Sequence, residues 1–305
     1  MTEGARFGKV AVLMGGPSSE REISLKSGAA ILDALREAQV DATAIDVSSD
    51  VFEQLRAGKY DRAFIALHGA LGEDGCIQGG LDVIGMPYSG SGVLASGICM
   101  NKQITKQLWS AYGIPTPRYR ILDGFVEPDM LAAELGLPMI LKPVSQGSSI
   151  GITKVNSREE IITAWEHASS FEDTVIAEQW IDGEEYTVAV LDEQALPVIR
   201  LETPRIFYDF DAKYQSDDTQ YHCPSGLPKA LESDIKEQVL QAFAVTAASG
   251  WGRVDLMLDR NENPWFLEIN TVPGMTDHSL VPMAAKAQGI SFVELVVRIL
   301  ETSLA

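Results

Sequence analysis

The chain has 305 residues, 46% of them hydrophobic and 22% charged, with 26 glycines and 14 prolines. This is globular composition, which excludes a disordered or collagen-like chain and leaves room for about two domains, or three small ones. The formal charge of −19 excludes a generic binder of nucleic acid or anionic membrane, so a polyanion such as ATP requires a local cluster of Lys and Arg together with metal ions.

Cys76, Cys99 and Cys223 are odd in number, far apart and without a CxxC pair. A disulfide framework or zinc ribbon is therefore not expected, and a reducing cytoplasm fits. The apolar run at 10–14 is too short for a signal peptide or a membrane span.

Strand, glycine break and helix alternate through the first third. A strand is expected at 9–14. Gly15-Gly16-Pro17 breaks it, and Ser18 or Ser19 with Glu22 predicts a capping box opening a helix that runs to about 38. Strands follow at 41–47 and 63–67, the latter ending at His68-Gly69, then a helix near 76–84 and a Gly/Ser turn at 89–92. This order predicts an open parallel α/β sheet.

In the middle, a helix is expected at 101–112. Short strands at 138–143 and 150–155 flank the loop Val144-Ser145-Gln146-Gly147-Ser148-Ser149, followed by a helix at 157–168 and strands at 174–178 and 185–191. Asp182-Gly183 reads as a hinge between modules. A strand at 196–200 precedes an aperiodic stretch at 203–226, rich in Tyr, Asp and Ser, whose aromatic residues favour a lid. Helices are expected at 228–249 and 291–304.

Two runs near the end carry the charge. Residues 252–258 and 264–270 flank a polar turn and read as an antiparallel hairpin. The expected register sets Asp255 opposite Glu268, Arg253 opposite Asn270 and Met257 opposite Phe266 on one face, with Val254, Leu256, Leu258, Trp265, Leu267 and Ile269 on an apolar other face. Opposed carboxylates destabilise a sheet. Either a divalent cation lies between them, matching oxygen-ligand magnesium chemistry, or the face is solvated and Arg253 neutralises one acid.

There is no GxxxxGK[S/T], so a P-loop is excluded. Residues 146–151 form either an anion nest or a flexible hairpin loop. Lys142, at the end of an apolar strand, is either a snorkelling edge residue or a phosphate ligand. The segment Glu178-Gln179-Trp180-Ile181 suits an adenine edge or a plain linker. The turn at 270–276 has backbone N–H groups suited to a carboxylate or oxyanion. His68 is a better site candidate than His167 or His222.

The ordered set Gly15-Gly16-Pro17-Ser18-Ser19-Glu20-Arg21-Glu22, Ala66-Leu67-His68-Gly69, Gly90-Ser91-Gly92, Lys142-Pro143, Gly147-Ser148-Ser149-Ile150-Gly151, Trp251-Gly252-Arg253-Val254-Asp255 and Glu268-Ile269-Asn270-Thr271-Val272-Pro273-Gly274-Met275-Thr276 resembles the D-alanine–D-alanine ligases, ATP-grasp enzymes of bacterial peptidoglycan precursor synthesis. The match spans essentially the whole chain. The resemblance implies an α/β fold, α+β in its ATP-binding half. An N-terminal open parallel sheet (1–96) is followed by two β-rich domains (97–183 and 184–305) that sandwich ATP.

It further implies that ATP phosphorylates one D-alanine and that the amine of a second attacks the acyl phosphate. Asp255, Glu268 and Asn270 would hold two Mg²⁺ or Mn²⁺ ions, and Lys102, Lys142 and Lys213 would meet the phosphates beside the Ser149 loop. Glu178 with the backbone at Trp180 and Ile181 would hold adenine, Glu185 the ribose, and Met257 the floor beneath the base. Glu20, with His68 nearby, would take the first substrate's ammonium. Arg253 and the Gly274 N–H would form the oxyanion hole, and Ser279 and Leu280 would anchor the second carboxylate. Glu20, Ser148 and Tyr214 would link the domains and pin the lid. Lys213-Tyr214 follows the pattern of amine acceptors, so D-alanine is favoured over D-lactate. The alternatives are another ATP-grasp carboxylate–amine ligase or a non-catalytic ATP-binding switch. The family also suggests a cytoplasmic homodimer without nucleic-acid or membrane partners, and leaves the general base for the amine unassigned.

Overall fold

The computed structural model describes residues 3–124, 126–147, 149–204, 218–276 and 278–304. The expected contributions of Ser148, Lys213 and Tyr214, and most of the expected lid, lie outside them.

The first unit is a parallel sheet of β1 (Lys9–Met14), β2 (Asp41–Asp46) and β3 (Arg62–Ile65), in the order β2-β1-β3. β1 is central and its Val10, Ala11, Val12 and Leu13 are fully buried, as a continuous apolar strand covered on both faces should be. The intervening helices are α1 (Arg21–Glu37) and α2 (Val51–Gly58). α1 buries Ile23, Ser27, Ile31, Leu35 and their neighbours, a stripe at three- and four-residue spacing. Its expected capping box does not form. The helix begins at Arg21, its N-cap is Glu20, and no side chain caps it. Ser18 is used instead to donate to the His68 carbonyl at 2.7 Å and to accept from the Glu20 N–H at 3.2 Å, tying the glycine turn to the end of β3.

Helices α3 (Cys76–Val83), α4 (Val93–Met100) and α5 (Lys102–Ala111) lead into a four-stranded antiparallel sheet. It contains β4 (Tyr119–Leu122), β5 (Met139–Pro143), β6 (Thr153–Val155) and β7 (Val175–Gln179), in the order β4-β7-β5-β6, backed by α6 (Pro128–Leu135) and α7 (Glu160–Ser169). The expected hairpin around the 144–149 loop is present, with Leu141 opposite Thr153.

The third sheet contains β8 (Gly183–Leu191), β9 (Gln194–Ala195), β10 (Ile199–Glu202) and β11 (Gln220–His222). α8 (Lys229–Val245) separates these from β12 (Trp251–Asp259) and β13 (Pro264–Asn270). The order is β11-β10-β8-β12-β13, with β9 on β8. Within 203–226, read as a stretch of little periodicity without structure of its own, β11 is a short strand: Gln220, Tyr221 and His222 pair with Glu202, Leu201 and Arg200. Three residues are too few to show a period in sequence. Gly183 opens β8 against its neighbouring strand; a Cβ there would collide with the Leu258 carbonyl oxygen. Helices α9 (Leu280–Ala287) and α10 (Phe292–Glu301) close the chain against the first sheet. Among the described residues no single helix is long and apolar enough to cross a membrane.

The hairpin of β12 and β13 follows the expected register at its site end only. Arg253 faces Asn270 and Asp255 faces Glu268, but the register then slips at a bulge, so that Leu256 faces Phe266 and Met257 faces Trp265. Leu267 is the extra residue. The slip reverses three expected placements: Phe266 is fully buried in the core, Leu267 turns to the cleft, and Trp265, expected on the apolar face, is half-buried opposite Met257 with its indole N–H on Asp259 at 3.1 Å. Phe266 packs edge-on to Trp109 with ring centroids 5.8 Å apart. Phe266→Ala is expected to lower stability by roughly 3–5 kcal/mol, through lost burial and a residual cavity. A loss of unfolding free energy in urea of less than a third of that would show that the bulge does not commit this ring to the core.

Candidate active site

A cleft lies between the two antiparallel sheets. The central sheet contributes Lys142 from β5 and Glu178 from β7, and the third sheet contributes Glu185, Asp255, Met257 and Glu268. Lys102, Ser149, Trp180 and Ile181 complete the lining set expected from the sequence.

The acidic end is built on the hairpin. Asp255 is nearly buried and accepts from Arg253 at both oxygens, Nε at 2.8 Å and Nη2 at 2.7 Å. Thr187 Oγ1 donates to Asp255 at 2.6 Å from β8, and Asn270 Nδ2 donates at 2.9 Å from β13. Arg253 therefore does neutralise one acid, as the second reading of the hairpin expected. Glu268 lies toward the cavity, with its Oε2 3.4 Å from Lys102 Nζ. Lys102 also donates to the Gln146 carbonyl at 2.7 Å, so one ammonium joins the acidic hairpin to the Gly/Ser loop.

In that loop Ser149 has φ +60° and Gly151 φ +71°. Ile150 N–H donates to the Gly147 carbonyl at 3.1 Å, and Ser145 N–H to Glu172 at 2.7 Å. Gly147 comes close to the first sheet's Glu20: a Cβ on it would lie 3.7 Å from the Glu20 carboxylate.

At the far end Glu178 is buried between two lysines. Its Oε2 lies 2.9 Å from Lys142 Nζ and its Oε1 3.2 Å from Lys106 Nζ. Burial opposes its ionisation, but Lys106 and Lys142 outweigh that and hold the carboxyl below its ordinary range. Trp180 is covered by Lys154, whose Nζ lies 3.6 Å from the ring centroid, and its N–H donates to the Pro138 carbonyl at 3.3 Å. Of the expected adenine-side backbone, the Trp180 amide is therefore engaged within the protein.

Facing the third sheet, His68 is buried and both ring nitrogens are engaged: Nδ1 lies 2.8 Å from the Val272 carbonyl and Nε2 3.0 Å from Ser27 Oγ. Burial pushes its pKa down, so the neutral ring donates at Nδ1 and accepts at Nε2. Ser27 also accepts from Met275 N–H at 3.1 Å. His68 thus fixes the turn carrying Gly274. Thr276 N–H donates to Ser279 Oγ at 2.9 Å, and a Cβ on Gly274 would come within 2.9 Å of that same oxygen. Leu280 is buried at the start of α9.

Three participants were missed in the sequence. Glu73 accepts from Gly69 N–H at 2.7 Å and from Val272 N–H at 3.3 Å, and burial together with nearby Glu20 pushes its carboxyl up to about 8. Thr187 looks like any β-branched strand residue. Lys106 did leave a signal: it stands four residues after Lys102 and three before Trp109, on the buried stripe of α5.

Two antiparallel sheets closing on a cleft with lysines at one wall and oxygen donors at the other, beside a parallel α/β sheet, define an ATP-grasp ligase. Family profiles described as the D-ala D-ala ligase N-terminus match residues 9–54 and 52–91, and the D-ala D-ala ligase C-terminus matches 108–301. The chain belongs to the D-alanine–D-alanine ligase family. It is 54% identical to the D-alanine–D-alanine ligase of Methylococcus capsulatus, covering 99% of this chain and 98% of that one. It is 56% identical to the D-alanine–D-alanine ligase of Alkalilimnicola ehrlichii, covering 98% and 95%. Among solved structures, a D-alanine–D-alanine ligase from Bacillus anthracis superposes with TM-score 0.88 at 36% identity, covering 97% of each chain. The Bacillus anthracis ligase complexed with ATP gives TM-score 0.86 at 34% identity, again covering 97% of each.

Proposed function

We propose that this chain joins two D-alanine molecules into D-alanyl-D-alanine at the expense of ATP, releasing ADP and phosphate, as a supplier of peptidoglycan precursor. The observation that carries the reading is the facing of Lys102 and Lys142 against Asp255 and Glu268 across one cleft, in a chain more than half identical to ligases of that name.

The site residues sort by what they can do. Lys102, Lys142 and the 146–151 backbone suit the phosphates, concentrating positive charge in a chain of net −19. Lys213 belongs to the same proposal. Glu178, Ile181 and Met257 surround the base, and Glu185 faces the ribose. The donor set of Asp255, Glu268 and Asn270 is all oxygen, and the opposed carboxylates are cross-strand partners, which fits hard divalent cations, Mg²⁺ or Mn²⁺. Such ions, when bound, neutralise phosphoryl oxygens.

The carboxylate of the first D-alanine, its ammonium held by Glu20, attacks the terminal phosphorus and ADP leaves. The amine of the second, its carboxylate held at Ser279 and Leu280, attacks the acyl carbon, and phosphate leaves from the tetrahedral intermediate. Arg253, gripped edge-on by Asp255, is charged and fixed before reaction, as an oxyanion donor should be; the Gly274 N–H is its partner. Ser148 and Tyr214 join Glu20 in linking the modules and excluding water from the acyl phosphate. The working form is read as a cytoplasmic homodimer. Three thiols without disulfides and the exposed Val83 and Leu94 on α3 and α4 support it.

Phosphate release from ATP and Mg²⁺ tests the reading, with D-alanine, L-alanine or D-lactate offered singly. D-alanine alone is expected to drive release. Release indifferent to D-alanine would remove the proposal.

A further inference from the structure

Lys106 is the most deeply buried ammonium in the described chain, and the mechanism above gives it no role. Its side chain is fully buried on α5, yet it touches no substrate position. Nζ donates to Thr116 Oγ1 at 2.6 Å, and Thr116 in turn donates to the Phe266 carbonyl at 2.9 Å on β13. Its charge is directed at Glu178 Oε1, 3.2 Å away, while Lys142 takes Oε2. A charge kept this deep costs stability unless it is compensated. Lys142 alone would already neutralise Glu178.

The two lysines do not exhaust the carboxylate. Oε1 is buried and has no hydrogen-bond partner among the described groups, because its contact with Lys106 is an ion pair without hydrogen-bond geometry. Glu178 lines the cleft next to Trp180 and Ile181. An ionised carboxylate accepts and cannot donate. An oriented, acceptor-only oxygen in a dry wall suits a ligand N–H, and it leaves a ligand carbonyl facing another acceptor.

We propose that Lys106 is a positioning residue that holds Glu178 ionised and in plane from the side opposite Lys142, and that through it the site selects a 6-amino purine nucleotide over a 6-oxo one. The inference rests on the reading that Glu178 faces the base. Burial against the pull of Glu178 lowers Lys106 to about 8, which keeps most of it charged at neutral pH. If the charge is lost, Oε1 has no cation beside it. The carboxylate then turns toward Lys142, and the oriented acceptor is lost from the wall facing the base.

The test compares ATP with ITP in the D-alanine-dependent phosphate-release assay, as the ratio of their kcat/KM values. Lys106→Met keeps the stem and removes the charge. It is expected to shrink the ATP preference by about tenfold or more, the worth of a hydrogen bond to a charged group, mainly through a raised KM for ATP. Damage of a merely structural kind would lower both nucleotides alike. Thr116→Val, nearly isosteric, loosens the same ammonium without removing it and is expected to shift the ratio in the same direction by a smaller factor. It serves where the first variant fails to fold. Glu178→Gln separates the two claims. If it abolishes the preference while Lys106→Met and Thr116→Val leave the ratio intact, the role of Lys106 falls and the Glu178 reading stands. If Glu178→Gln itself leaves the ratio intact, both fall.

Discussion

Glu268→Gln is expected to reduce D-alanine-dependent ATP turnover by about a thousandfold or more, the scale on which one preorganised electrostatic contact to a transferring group is lost. The side chain is directly opposite Asp255, the carboxylate that Arg253 grips at both oxygens. It lies at the cleft, a quarter exposed, so its amide should be accommodated without repacking. Two consequences separate this from general damage. The far-UV dichroism and melting temperature should match the parent within a few degrees. Affinity for nucleotide without metal should change little, whereas the divalent-ion concentration giving half-maximal rate should rise steeply. A variant with near-normal rate at ordinary magnesium would show that Glu268 holds no metal.

Arg253→Met is expected to damage both catalysis and stability. As an oxyanion donor, its loss should lower kcat by about a hundred- to a thousandfold with little change in KM for ATP. As the partner of Asp255, its loss leaves a nearly buried carboxylate with Thr187 and Asn270 as neutral donors. Removing one partner of a buried ion pair typically costs about 3–5 kcal/mol. Urea unfolding should therefore show a large loss in nucleotide-free protein, partly recovered when MgATP is added. Unchanged stability together with unchanged kcat would sink both roles.

How far the sequence could be read depended on whether the decisive contacts were local. The parallel first sheet was legible because β1 and β3 are apolar runs followed by glycine and helical stretches alternate with the strands, and the hairpin because two alternating runs flank a polar turn. The bulge was not legible. Its cause is that Phe266 fills the core against Trp109, a ring more than 150 positions away in the chain, and no two-residue period records that demand. The capping box failed for a related reason. Ser18 satisfies the local rule, but the His68 carbonyl competes for its hydroxyl.

The site divides in the same way. Lys142 stands near the end of an apolar strand, and Asp255 and Glu268 face each other in a polar file of the hairpin, so these three were conspicuous in sequence; Lys102 was marked only by the family resemblance, yet it lines the same cleft. Glu73 and Lys106 act through groups that sequence places nowhere near them: the Val272 amide for Glu73 and Glu178 for Lys106. His68 was conspicuous for its position after a strand, but its contacts make it a brace for the Gly274 turn, with both nitrogens engaged within the protein.

The packing of α10 bears on how the protein is made. Leu295, Val296, Ile299 and Leu300 share one core with Val10–Leu13, Arg6 pairs with Glu301, and Arg62 donates to the Ser303 carbonyl at 2.8 Å. The first sheet thus borrows one wall from a helix about 285 positions further along the chain. At translation rates of about 5–20 residues per second, its apolar flank emerges from the ribosome roughly 15–60 seconds before its cover does. During that interval the amino-terminal layer's apolar flank is without the side chains that cover it in the folded protein.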